Sequence, residues 1–411
     1  MKSAMQNSGK RWFIAVMATL EHLCLGTVYA WSFFQKTVSE TFGWSNSETA
    51  WAFSLAIFML GVTASWGGQN LQKFGPRKLA LIGAFLYAFG YIISYFALQN
   101  ESLWLLYFGY GIVGGIGLGL AYVTPVATVS KWFPDKQGLV TGMVVMGFGL
   151  GALLMSKLLA PIFLEYFEKD LAKTFLAIGI TLLVLLPFFA NFLNLPTEEK
   201  STEISAEKLS ATKEILSPNF IFIWLIFMFN VVAGMIFISF QSPLLQDLLK
   251  AENVNIDTAT LEKSGATLIA ISALFNGLGR FFWGSISDKL GRVTTFRLLL
   301  LIEMGVFASL IFIKSPILFS VGVCFILLNY GGGFGVLPSL IKDFFGTKLM
   351  PIVYGAALTA WGVGGILGPQ ITAYMKDHFS EDAGLYAYKV ALVLIALGIG
   401  LSFFVKNKKA Q

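Results

Sequence analysis

The sequence predicts an all-α membrane protein, with about twelve spanning helices in two pseudo-symmetric six-helix halves. Three observations carry that expectation. Of 411 residues, 56% are hydrophobic and only 13% charged; a soluble domain carries about 25% charged residues. The apolar runs are continuous, and a helix crossing a bilayer needs about 20 such residues. One sizeable hydrophilic stretch, from Pro196 to Pro218, falls near the middle and separates six runs from six. The expected organisation is therefore a first bundle over 1–195, a linker over 196–217 and a second bundle over 218–411.

In order, the spans are expected near 12–34, 45–67, 79–98, 103–130, 138–162, 174–194, 218–241, 264–287, 294–313, 316–340, 350–373 and 386–405. An outer-membrane barrel would instead alternate over segments of about 10 residues. Met1 to Lys10 is polar, and no short apolar core with a small-residue cleavage site follows, so the first run reads as a membrane helix. The linker is rich in Glu, Lys, Ser and Thr, with an amphipathic helix expected around Ile204 to Ile215.

Composition also excludes functions. With a mean hydropathy of +0.72, a cytosolic enzyme, a nucleic-acid binder and a disordered scaffold are ruled out. The pI of about 9.1 fits cations gathered on the cytoplasmic face. Both cysteines, Cys24 and Cys324, sit in apolar runs, so neither a disulfide framework nor a metal cluster is expected. The two histidines, His22 and His378, have no spacing suited to a metal or a Ser–His–Asp arrangement. No enzyme activity and no cofactor are expected.

Orientation follows from Lys and Arg. With both termini inside, the inner loops hold Lys10, Arg11, Lys73, Arg77, Lys78, Lys131, Lys136, Lys289, Arg292, Arg297, Lys406, Lys408 and Lys409. The expectation is an N-in, C-in, multi-pass protein of the cell membrane, working as a monomer.

An internal repeat supports two halves. After the second span comes Gly68-Gln-Asn-Leu-Gln72-Lys73-Phe-Gly75-Pro-Arg77-Lys78; after the eighth comes Gly284-Ser-Ile-Ser-Asp288-Lys289-Leu-Gly291-Arg292. Both read G-x-x-x-[DQ]-K-x-G, then a basic residue, at matched places. A third loop, Trp132-Phe-Pro-Asp135-Lys136-x-Gly138, lies between spans four and five. Glycine suits tight turns, an acid can cap a helix start, and cations can hold the cytoplasmic face together. These loops are candidate gates.

The paired loops over twelve spans resemble the major facilitator superfamily, with Gln72 standing where that family has an acid. Within it, Tyr29-Ala-Trp31-Ser-Phe, Trp132-Phe-Pro-Asp-Lys136, Asn276-x-x-x-Arg280 and Phe282-Trp283-Gly284-x-x-Ser-Asp288 resemble the oxalate/formate antiporters, relatives of the monocarboxylate/proton transporters. The resemblance implies transport by alternating access.

Ionisable groups at half-depth in a bilayer cost several kcal/mol and mark function by default. Four stand out: Glu21, His22, Arg280 and Glu303. Arg280 lies eight residues before Asp288, so about 12 Å into the membrane at 1.5 Å per residue. A guanidinium cannot shed its proton and needs an anion; a carboxylate fits its fork. The resemblance implies that Arg280 binds a substrate carboxylate. It places Asn276 where the monocarboxylate transporters have a titratable acid, and Tyr122 and Tyr330 among the cavity aromatics. Asn276 lies one turn from Arg280 and can donate a hydrogen bond. Tyr29 shares a face with His22 and Leu25. The Asn329-Tyr330-Gly331-Gly332-Gly333 run permits bending. Trp361 stands where the oxalate antiporters carry a lysine. A dicarboxylate would then meet a single cation, which favours a monocarboxylate such as lactate, pyruvate or formate.

Glu21 and His22 are candidate proton carriers, with a structural Glu–His or Glu–Arg pair as the alternative. Glu303, in span nine, is expected to make a helix-packing contact. One anion moving with one proton is electroneutral, so proton symport is the leading expectation, against anion exchange. A proton-coupled antiporter of organic cations, anchored on Glu21, is the third.

Overall fold

The computed structural model describes residues 2–196, 211–379 and 382–405. Twelve of its helices are long and apolar enough to cross a membrane: α1 (Gly9–Phe42), α2 (Asn46–Phe74), α3 (Pro76–Gln99), α4 (Leu103–Trp132), α5 (Leu139–Tyr166), α6 (Leu171–Ala190), α7 (Pro218–Glu252), α8 (Thr258–Leu290), α9 (Arg292–Leu310), α10 (Pro316–Gly346), α11 (Lys348–Phe379) and α12 (Ala383–Ser402). No strand occurs among the described residues. Most helices outrun the expected spans, since the helix continues past its apolar stretch into polar turns. Within the linker, residues 197–210 lie outside the described residues, and 211–215 are helical. Lys406, Lys408 and Lys409 also lie outside them.

Local chemistry fixes the helix starts. Ser45 and Glu48 form a reciprocal capping box at α2: the Glu48 amide donates to Ser45 Oγ at 3.1 Å, and the Ser45 amide donates to Glu48 Oε2 at 2.8 Å. Asp170 and Asp257 accept first-turn amides at 2.9 and 2.8 Å to start α6 and α8. The Thr260 hydroxyl and amide hold the Asp257 carboxyl below its ordinary range. Both repeat loops turn on a glycine with left-handed backbone, Gly75 at φ 76° and Gly291 at φ 84°.

The acid of the second repeat does not cap a helix start, contrary to expectation. Asp288 lies inside α8 and accepts from Arg292 Nη2 at 2.5 Å; Arg292 also reaches Asp343 on α10 at 3.3 Å. Asp135 likewise pairs with Arg11 at 3.0 Å. These loops tie neighbouring helices together by acid–arginine pairing.

The first six and last six helices meet along α2–α11 and α5–α8. At the α5–α8 crossing a Cβ on Gly149 would sit 2.9 Å from Gly277 Cα, so only glycine permits the approach. At the end of the molecule away from the termini, Asp377 of α11 reaches the start of α2. Its Oδ1 accepts from the Asn46 amide at 2.8 Å and from Asn46 Nδ2 at 3.0 Å; its Oδ2 accepts from the Ser47 amide at 2.9 Å. Lys36 Nζ of α1 donates to Gln246 Oε1 of α7 at 2.9 Å on the same end. At the terminal end, Arg11–Asp135 stays within the first six helices and Arg292–Asp343 within the last six.

A carboxylate on a helix N-terminus contributes about 0.5–2 kcal/mol. Asp377→Ala should therefore loosen that end. In a background with Cys24 and Cys324 replaced by Ala, thiol labelling of Ser54→Cys, buried near this contact, is expected to rise several-fold. Unchanged labelling would remove Asp377 as a closing contact.

Candidate functional site

Arg280 projects from α8 between the two sets of six helices and is 1% exposed. Its Nε donates to Asn276 Oδ1, one turn earlier, at 3.4 Å, while Nη1 and Nη2 have no hydrogen-bond partner. Among the described residues, no carboxylate lies within 4.0 Å of it. Instead, Phe334 of α10 and Phe148 of α5 turn ring faces to the guanidinium, at 4.8 and 5.7 Å from its centre. Asn276 thus orients the fork by occupying its inner edge.

Aromatic side chains complete a cage. Trp361 of α11 packs edge-on to Phe334, Tyr122 and Phe148, with centroids 4.8, 5.0 and 5.6 Å away. Tyr29 of α1 meets Tyr330 of α10 hydroxyl to hydroxyl at 2.5 Å, joining the two sets of helices over the site. The Tyr122 and Tyr354 hydroxyls and Trp361 Nε1 are buried without a partner. The Arg280 charge acts on all four tyrosines and on His22. The arrangement therefore pairs an unsatisfied cation with unsatisfied donors, the chemistry that receives a small anion.

Every residue expected to bind substrate is in this cage: Arg280, Asn276, Tyr330, Tyr122, Tyr29 and Trp361. Three of its members escaped the sequence reading. Phe334 is one turn from Tyr330, and Tyr354 is two turns from Trp361, so helical spacing marks both. Phe148, between Gly147 and Gly149, has no such signal.

The two proton-carrier candidates separate. His22 stacks on Tyr122 at 4.8 Å, with Nδ1 3.0 Å from the Val144 carbonyl oxygen and Nε2 2.9 Å from that of Tyr122. A neutral imidazole has one N–H; only the protonated ring donates to both acceptors. Glu21 points elsewhere. Its oxygens are buried without a hydrogen-bond partner. The alternative Glu–His and Glu–Arg pairs are absent among the described residues. Glu303 Oε1 accepts from Asn230 Nδ2 of α7 at 2.7 Å, a helix-packing contact.

The glycine run of α10 is straight in this structure. The helix is regular there, and the glycines admit close neighbours: a Cβ on Gly331 would meet the Asn276 carbonyl oxygen at 2.1 Å. In the loops, Gly68 is buried in α2, Lys73 lies over Phe74 at 5.3 Å, and Lys289 is exposed at the end of α8.

A family model described as Major Facilitator Superfamily matches residues 12–369. The chain belongs to that superfamily. As a member, it is a membrane transporter and not an enzyme. Among its relatives, the oxalate:formate antiporter of Oxalobacter formigenes is 27% identical over 402 residues, covering 97% of this chain and 92% of that one. The apicoplast pyruvate carrier 1 of Toxoplasma gondii is 24% identical, covering 94% and 86%. Monocarboxylate transporter 14 of Mus musculus is 28% identical over 161 residues, 39% of this chain and 31% of that one. In fold, the superfamily member resembles a bacterial homologue of the human lysosomal transporter Spinster, solved inward-facing and unoccupied. The TM-score is 0.69 at 16% identity, covering 97% and 96%.

Replacing Asn230 with Leu strands the Glu303 carboxyl and should cost about 1–2 kcal/mol of stability. Replacing both residues with Leu should recover most of it, since neither member of the pair is then left as a buried, unpaired group. Melting curves in detergent check this; equal melting of all three proteins would deny the contact any weight.

Proposed function

We propose that this transporter carries small monocarboxylates of the lactate, pyruvate or formate class across the cell membrane, with both termini in the cytoplasm. One observation carries the reading: the buried guanidinium of Arg280 holds two unpaired nitrogens between the halves, with no acid among the described residues to satisfy them. A carboxylate completes that fork bidentately. The free hydroxyls of Tyr122 and Tyr354 add donors, and Trp361 fills space that a second carboxylate would need. The cage residues named above include one cation, which favours one negative charge over two. The two six-helix halves alternate access around this midplane site.

Proton symport is the leading mode of coupling, with His22 as the carrier. Its two ring nitrogens each face a carbonyl oxygen, a geometry that a doubly protonated imidazole satisfies, and an anion on Arg280 lifts the repulsion that this cation exerts on a second positive charge. One anion plus one proton then crosses without net charge. Anion exchange is the second reading. An Arg280 without an internal counter-ion makes the empty carrier costly to reorient, which an exchanger avoids by always returning loaded. The likeness to an oxalate:formate antiporter supports the same reading.

The test is uptake of labelled lactate, pyruvate and formate into proteoliposomes, with and without an inward proton gradient. Gradient-driven uptake is the expected result. Uptake indifferent to the gradient but dependent on internal anion establishes exchange; no uptake of any of the three overturns the substrate class. Arg280→Lys keeps the charge but loses the fork, and should lower uptake about 10- to 100-fold, corresponding to about 1.5–3 kcal/mol. Wild-type uptake by that variant removes Arg280 from the site.

For pH dependence, the protonated form is the active one, so wild-type uptake should rise as external pH falls. His22→Gln should flatten that profile. A profile that keeps its slope in His22→Gln but flattens in Glu21→Gln moves the proton to Glu21.

A further inference from the structure

A groove of about 550 Å³ opens on the membrane-facing side of the first six helices, at the end that carries the termini. It lies where α2 turns into α3, beside the chain leaving α6. Its walls include Phe74, Arg77, Lys78, Ile82, Phe85 and Leu195. Spans three and six do not contribute the cage residues named above, so the groove is distinct from the Arg280 site.

Its charge has a specific origin. In the second repeat loop, Arg292 is neutralised by Asp288 and Asp343. The first loop carries Gln72 in place of the acid, and Lys73, Arg77 and Lys78 come within 4.0 Å of no carboxylate among the described residues. Lys73 and Lys78 both lie over the Phe74 ring, at 5.3 and 5.8 Å. Arg77 donates to Asn191 Oδ1, which fixes it at the mouth. The mouth is also the N-terminus of α3, a 24-residue helix that starts on Gly75 without a side-chain cap. Its first-turn amides have no helical acceptor and present the positive end of the helix dipole.

Below the cations the wall turns apolar. Ile82, Phe85 and Phe89 are 40%, 43% and 45% exposed and follow one stripe of α3 away from the mouth, into the depth of the membrane. Cations at the boundary above an apolar stripe complement one molecule: a phosphate head on an acyl chain.

We propose that this groove binds an anionic phospholipid, with its phosphodiester at Arg77, Lys78 and the start of α3, and an acyl chain along Ile82, Phe85 and Phe89. The ligand is a membrane lipid, not a free anion, because the apolar stripe has no use for one.

The test uses the full chain purified in a neutral detergent, with melting temperature and native mass spectrometry as readouts. Dioleoyl phosphatidylglycerol, dioleoyl phosphatidylcholine and inorganic phosphate are added in turn. Phosphatidylglycerol alone is expected to raise the melting temperature by several degrees and to remain bound in the gas phase. Lys78→Glu leaves the Arg77–Asn191 bond intact and should lose most of that shift; Lys78→Met repeats the test without adding an acid. Lys314→Glu, at the opposite end, should keep the full shift. An equal shift from phosphatidylcholine overturns the proposal, as does an equal shift from phosphate, which would mark a free-anion site. A phosphatidylglycerol shift unchanged in both Lys78 variants places the lipid elsewhere and also overturns it.

Discussion

A guanidinium that cannot lose its proton, held in a low-dielectric interior without a fixed counter-ion, is the constraint around which this molecule is organised. An isolated charge in such a medium is costly. The protein moderates that cost without cancelling it. Asn276 takes one N–H, and the faces of Phe148 and Phe334 supply diffuse negative potential. None of these matches a carboxylate, so the fork is left incompletely paired. The glycines of α8 and α10 follow from the same need. They bring the backbones against each other, so that the long Arg280 side chain is held by packing.

The loops show a different use of charge. Acid–arginine pairs clamp α9 to α8 and α10, and α1 to the α4–α5 turn, each within one set of six helices. Asp377 and Lys36 cross between the sets at the far end. The terminal end thus holds each set together as a body, and the far end holds the two bodies to each other. The exposed acid–arginine pairs contribute little to overall stability, and the part-buried Asp377 contact is the stronger tie between the sets.

Much of this was legible in the sequence. Hydropathy gave the twelve spans because a bilayer leaves the chain few alternatives. It did not give their ends, since α7 and α8 continue as helix through residues that no membrane selects. Arg280, Asn276 and Trp361 were legible as chemistry out of place in an apolar run. Phe148 and Phe334 were not, because 39 phenylalanines make any one of them unremarkable by type. Asp377 was missed because its partners are backbone amides more than three hundred residues away. Asp288 was misread as a cap because its role depends on Arg292 and Asp343 in space. The close packing of Gly331 against Asn276 was not legible, because sequence does not distinguish a glycine that flexes from one that is pressed upon.

The glycine-to-glycine crossing of α5 and α8 has a geometric consequence. Gly149 lies against Gly277 and also close to Arg280, with a Cβ there only 3.3 Å from the guanidinium Nε. A crossing with glycine on both helices is a natural fulcrum, and points near a fulcrum travel least when the arms tilt. Swings of many ångströms at either mouth would then displace the Arg280 nitrogens only slightly. A cargo held there would be exposed to each side in turn while its own coordination stayed nearly still.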